Sequence, residues 1–175
     1  MKFISATILF LCFNLFVNAQ NLPLNEETGK VEFIEVVEVP GASADQLYKR
    51  AEKWFDEFYT NAGSVIKERE AGKRIFGKHK INLYADDAGT EVHKGFVNYY
   101  IEIGFKDGRY RYKIDEFFKV EGVKVYINEW IESGAANQET LNSYLSQVSG
   151  FMDELTNSLK DTLNKPLEEE SADDW

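Results

Sequence analysis

His79 and His93 are the only histidines in the chain, and each shares numbering parity with apolar residues in a strand-like run. On one sheet face they would supply two ligands of a zinc site, which needs a third. The single cysteine, Cys12, lies in the apolar run near the N-terminus and is no candidate. The two histidines therefore read as partly buried, hydrogen-bonded side chains, and neither a metal nor any other cofactor is expected. Asp86, Asp87 and Glu91 in "ADDAGTE" (Ala85–Glu91) lack the alternating oxygen ligands and distant Glu of a calcium loop. They read as an exposed loop. No serine stands in G-x-S-x-G, and "AGKR" (Ala71–Arg74) is a turn beside cations rather than a glycine-rich phosphate loop. With 30 acidic residues, no carboxylate pair stands out for acid–base work. No catalytic, metal or cofactor residue is assigned.

The tract "FKDGRYRYKI" (Phe105–Ile114) has the rings and cations of a nucleic-acid binder. Asp107-Gly108, however, is a two-residue hairpin signal, which reads as a type I′ turn. With that turn Lys106 opposes Arg109, Phe105 meets Tyr110, Ile103 meets Tyr112 and Ile101 meets Ile114 on one face. Glu102 meets Lys113 and Gly104 lies opposite Arg111 on the other. One register sorts apolar from charged on both strands, and a slip of one residue would turn all six apolar side chains to the wrong face. A single-strand binder needs rings and cations interleaved on one surface. The tract reads as a structural hairpin.

The elements that position this hairpin follow from periodicity. "VEFIEVVEV" (Val31–Val39) is a strand stopped by Pro40-Gly41. Ser43, with Gln46 three residues on, forms a capping box for a helix over Ala44–Tyr59, whose stripe is Leu47, Ala51, Trp54, Phe55 and Phe58. "NAG" (Asn61–Gly63) ends it. "EAGK" (Glu70–Lys73) turns between two charged strands; the second places Ile75, His79, Ile81 and Leu83 on one face, whereas Val65–Glu70 does not alternate. Val123, Val125 and Ile127 mark another short strand, and "ESGAAN" (Glu132–Asn137) a loop whose Asn137 caps a second helix. That helix carries Leu141, Tyr144, Leu145, Val148, Phe151, Met152, Leu155, Leu159 and Leu163 to about Asn164. Gly150 in its middle suggests a bend or close packing, and Pro166 ends it.

The fold class expected is α+β: a single curved antiparallel sheet with the N-terminal helix and the long C-terminal helix packed on one face, a helix-grip-like arrangement. Lys2, the apolar run Ile8–Phe16 and small Val17 and Ala19 before Gln20 read as a signal peptide over 1–19. A single domain over 20–165 and a short acidic, disordered tail over 166–175 complete the chain. The run is shorter than the about 20 residues a membrane helix needs, and nothing later is long or apolar enough. Cys12 sits between Leu11 and Phe13, which argues against a lipid anchor. The mature chain would hold no disulfide. A formal charge of −10 repels phosphate polymers, so nucleic acid is not an expected partner.

Several phrases together resemble an uncharacterised family of exported proteins from Bacteroides-type bacteria, a domain of unknown function with a TATA-binding-protein-like fold. They are Leu22-Pro23, Gly29-Lys30, "VVEVPG" (Val36–Gly41), Leu47-Tyr48, Trp54 and "KDGRYRY" (Lys106–Tyr112), in that order. The resemblance covers Leu22 to Phe118. It implies an antiparallel sheet packed on helices and brings no catalytic residues. The function expected is an exported, periplasmic or extracellular, non-catalytic interaction or ligand-binding module, whose partner is another protein or a small apolar ligand. Two alternatives stand beside it: a carrier of a small apolar ligand or lipid between sheet and helix, and an envelope hydrolase using paired carboxylates.

Overall fold

The computed structural model describes residues 22–133 and 137–168. Within them the elements are β1 (Phe33–Glu38), α1 (Ala44–Phe58), α2 (Ala62–Val65), β2 (Ile66–Glu70), β3 (Arg74–Asp87), β4 (Thr90–Lys106), β5 (Arg109–Glu121), β6 (Val123–Tyr126), α3 (Ile127–Ser133) and α4 (Gln138–Leu163). The strands form one curved, unclosed antiparallel sheet of six, in the order β1-β5-β4-β3-β2 with β6 paired to β5. β1 and β6 lie end to end along the side of β5 that β4 leaves free. The signal segment and residues 169–175 of the acidic tail lie outside the described residues.

The β4–β5 register is the one the apolar pattern dictates, from Lys106 opposite Arg109 to Ile101 opposite Ile114. Tyr110 and Ile114 are 0% exposed and Tyr112 4%, whereas Arg109 and Arg111 are exposed. The turn itself is not type I′. Gly108 has φ +75°, but Asp107 is not in the positive-φ region, which is the pattern of a type II turn. Type II turns splay a hairpin's strands, so an outside contact has to hold this one. Gly108 N–H donates to the Ala42 carbonyl (2.8 Å), its carbonyl accepts from Val39 N–H (2.7 Å), and Asp107 Oδ1 accepts from Ala44 N–H (2.9 Å). The turn thus docks on the β1–α1 connection and caps α1 from outside.

α1 starts as expected. Ser43 accepts from Gln46 N–H and Gln46 returns a bond to Ser43 N–H. Leu47, Ala51, Trp54 and Phe55 are each 0% exposed, worth about 1.5–3 kcal/mol for each large side chain. α4 packs beside it, with Val148, Met152, Leu155, Leu159 and Leu163 fully buried. Two polar ties join the helices: Trp54 Nε1 donates to Ser158 Oγ (3.1 Å), and buried Arg50 donates to the Leu163 carbonyl (2.8 Å) at the α4 C-terminus. Asn137 caps α4 by accepting from Glu139 N–H.

Several expectations change. Ala85–Glu91 is not a loop: β3 and β4 continue to Asp87 and Thr90, joined by Ala88-Gly89 at φ +53° and +85°. Both positive values suit a tight two-residue turn. After α1, Asn61 does not simply stop a helix but caps the short α2. Ile127 leaves the strand pattern to begin α3, which also takes Glu132 and Ser133. The β2 register breaks at a bulge between Ile66 and Glu68, which is why its alternation fails. A Cβ built on exposed Gly150 meets nothing within 4 Å, so close packing does not explain that glycine.

Asp107→Ala removes the outside cap and should cost about 1–2 kcal/mol in urea unfolding, while Asp107→Asn keeps an acceptor and loses less. Gly150→Ala should gain about 1 kcal/mol in the same assay.

Candidate functional site

Both long helices pack on one face of the sheet, so the site question concerns the other face. Bulges decide what reaches it. The β3–β4 register slips by one at Lys94–Gly95, where Gly95 takes φ +112°. His93 is thereby turned opposite Tyr84, away from the core parity it shares with Val97 and Tyr99. It is exposed, its ring 5.5 Å from that of Tyr84. His79 stays on the core side, half-buried, with its ring 4.9 Å from Tyr59 and 6.2 Å from Tyr99. The two histidines do not meet, and neither makes a hydrogen bond among the described residues. Burial, and then the charge of Lys80, lowers the His79 pKa below 6.5. No group of three or more His, Cys, Asp and Glu side chains is gathered for a metal among the described residues.

A second slip lies in β5, where Tyr100 pairs Asp115 but Asn98 pairs Phe118. Glu116 there takes φ +55°, uncommon for a residue with a side chain, and is held by Lys30 Nζ at 2.8 Å. The extra residue keeps Phe117 in the core and sends Phe118 to the outer face. There Phe118 joins Tyr100 and Tyr126, at ring distances of 6.3 and 6.1 Å, and Tyr100 stacks on Phe76 at 5.5 Å. Lysines lie over these rings: Lys78 over Phe118 (5.3 Å), Lys124 over Phe118 (4.5 Å) and Lys80 over Phe96 (4.3 Å). Sequence reasoning missed this outer cluster. The even numbers of Phe76, Phe96 and Tyr100 were the available signal; Phe118 reaches the face only through the bulge.

Farther along the same face, one cross-strand row reads Arg74 on β3, Gly104 on β4, Arg111 on β5 and Val36 on β1. The row nearer the turn is Lys106, Arg109 and Glu38. A depression of about 520 Å³ opens between them, lined by Lys73, Lys106, Arg109 and Arg111, with Glu102 as its acidic member. Arg74 is occupied by Glu68 (2.8 Å) and Glu102 (3.1 Å). Lys73 holds Glu70 (2.8 Å) and Arg109 lies 3.8 Å from Glu38. Lys106 and Arg111 have no ion-pair partner among the described residues. Gly104 lies inside β4, two residues before its end, where glycine costs roughly 0.5–1 kcal/mol against alanine. Its φ is not positive, and an added Cβ would meet nothing closer than the Lys73 carbonyl at 3.9 Å. Gly77 contrasts with it, since a Cβ there would press on Ile101 at 3.2 Å.

A smaller depression of about 350 Å³ lies on the helix side, lined by Phe58, Tyr59, His79 and Phe151. Between sheet and helices the space is filled: Phe55, Tyr99, Phe117, Met152 and Leu155 are at most 2% exposed. The Tyr59 and Tyr99 hydroxyls bond to each other at 3.0 Å, and burial raises the pKa of both. Tyr110 Oη is buried with no hydrogen-bond partner among the described residues.

Residues 33–118 match a family described as a domain of unknown function, DUF4468, with TBP-like fold. A DUF4468 family protein from Bacteroides ovatus superposes with TM-score 0.64 at 22% identity, covering 86% of this chain and 93% of its own. A TBP-like protein from Parabacteroides distasonis gives 0.57 at 15%, covering 81% and 98%. These likenesses show the shared fold. No curated protein matches the sequence.

Because burial lowers the His79 pKa relative to the unfolded chain, stability should fall as pH drops below 6.5, where the unfolded chain takes up the proton first. His79→Phe should remove that part of the pH dependence in urea unfolding at pH 7.5 and 5; an unchanged dependence would contradict the assignment.

Proposed function

For a chain that carries a DUF4468 domain with TBP-like fold over residues 33–118, we propose the role of an exported, non-catalytic binding module that presents the outer face of its sheet to a partner. One observation carries the reading. Both long helices lie on one face, while the other bears the larger depression together with exposed Ile34 (44%) and Val36 (51%). Export rests on the N-terminal run from Ile8 to Phe16 and the small residues before Gln20.

Carboxylate chemistry has little support. A general acid needs a raised pKa, whereas the displaced carboxylates among the described residues all move down. Glu35 is lowered by hydrogen bonds from Lys160 and then Tyr112, Glu70 by Lys73, and Glu116 by Lys30. A carrier is disfavoured by the filled space between sheet and helices. Nucleic acid is disfavoured because the outer rings are already covered by lysines or by each other, and stacking bases would have to displace them.

Oxidative side-chain footprinting in the producing cells and after purification tests the reading. Lower labelling of Ile34, Val36, Phe76 and Tyr126 in the cell, with unchanged labelling of exposed α4 positions, is expected. Equal labelling of the outer face in both samples would contradict it.

A further inference from the structure

The depression around Gly104 has a chemistry more specific than an open face. Its cations come from three places: Lys73 from the β2–β3 turn, Lys106 and Arg109 from the two sides of the β4–β5 turn, and Arg111 from β5. They surround a strip of bare backbone in a chain whose formal charge is −10. Four cations against the single carboxylate of Glu102 in the lining make the depression locally basic in an acidic chain. Folding does not demand it. Neither φ nor packing requires glycine at 104, and a Cβ there would make only an ordinary contact with the Lys73 carbonyl, at 3.9 Å. What the glycine does is clear the floor between Arg74 and Arg111, its Cα partners on either side. Those two strands stand roughly 9.6 Å apart across β4.

We propose that this depression binds the anionic tetrahedral head of a small ester, a phosphate or sulfate group carried on a sugar-sized molecule. This rests on the binding-module reading above and adds the ligand class. Lys73 and Arg109 already face Glu70 and Glu38, so Lys106 and Arg111 supply the positive excess, and a tetrahedral ester offers them three terminal oxygens. Arg111 supplies a planar fork suited to two of them, and Lys106 a point charge for the third. Glu102 does not oppose the ligand, because Arg74 holds it at 3.1 Å. The bare strip at Gly104 lets the ester approach the backbone, and Val36 gives the carrying group an apolar wall. The volume, about 520 Å³, is within the range of small-molecule sites.

The test is a titration of the purified protein at low salt with inorganic phosphate, glucose 6-phosphate and glucose 6-sulfate, followed by backbone amide NMR shifts. Saturable shifts at Gly104, Lys106 and Arg111 are expected, with at least tenfold weaker binding in Arg111→Glu. Gly104→Val fills the floor with a good strand former, so it should bind at least tenfold more weakly while its unfolding midpoint stays equal or rises. Tighter binding of one ester than of the other supports the site and names its source. Absence of saturable shifts at those amides with all three probes, or unchanged binding by Gly104→Val, overturns the proposal. Protection of the outer face in cells without ester binding would sink this site and leave the binding-module reading standing.

Discussion

The structure depends on one docked turn. Asp107 and Gly108 close the β4–β5 hairpin in a conformation that does not match the twist of its strands, and three hydrogen bonds hold it there, donated by Val39 and Ala44 and accepted by the Ala42 carbonyl. The contact does three things at once. It pins the register that puts Tyr110 and Tyr112 inward and Arg109 and Arg111 outward. It seats β1 against β5, from Phe33 opposite Ile114 to Glu38 opposite Arg109. It also starts α1, whose first amide has Asp107 as acceptor. Helix, hairpin and edge strand are therefore one cooperative unit.

Much of that unit was legible in the residues. Ser43 and Gln46 announce the start of α1, the i, i+4, i+7 stripe through Leu47, Ala51 and Trp54 announces its buried face, and the α4 stripe runs unbroken to Leu163. In each case local spacing and burial agree, so no tertiary information is needed. The turn type was not legible, because Asp107-Gly108 permits more than one turn and the choice is made by a segment more than sixty residues earlier. The faces of His93 and Phe118 failed for a related reason. A bulge moves parity by one, and Gly95 or Glu116 becomes a bulge only through the strand beside it. α3 is 7 residues long, too short for a period to show.

The outer face shows how those bulges serve function. In its bulged region lysines and aromatic rings satisfy one another, giving a closed surface around Phe118, which is 1% exposed. In its regular region the pairing is incomplete. Arg74 is neutralised twice, Arg111 and Lys106 not at all among the described residues, and glycine stands where a strand former would serve stability better. Stability and the layout of this face diverge at Gly104, the kind of local conflict that functional sites show. The candidate site was half visible beforehand: placing Gly104 opposite Arg111 was correct, but the depression also takes Lys73 from the β2–β3 turn, whose register could not be read because Val65–Glu70 does not alternate.

Native-state hydrogen exchange measures the docked turn most directly. Turn amides ordinarily exchange through local fraying, far below the global unfolding free energy. If the turn anchors the fold, the Val39 and Gly108 amides exchange only with global unfolding, alongside core amides such as Ile103 and Tyr112. Exchange of Val39 and Gly108 at a small fraction of that free energy would mean that the hairpin keeps its register without the contact, and the docked turn would not be the anchor of the fold.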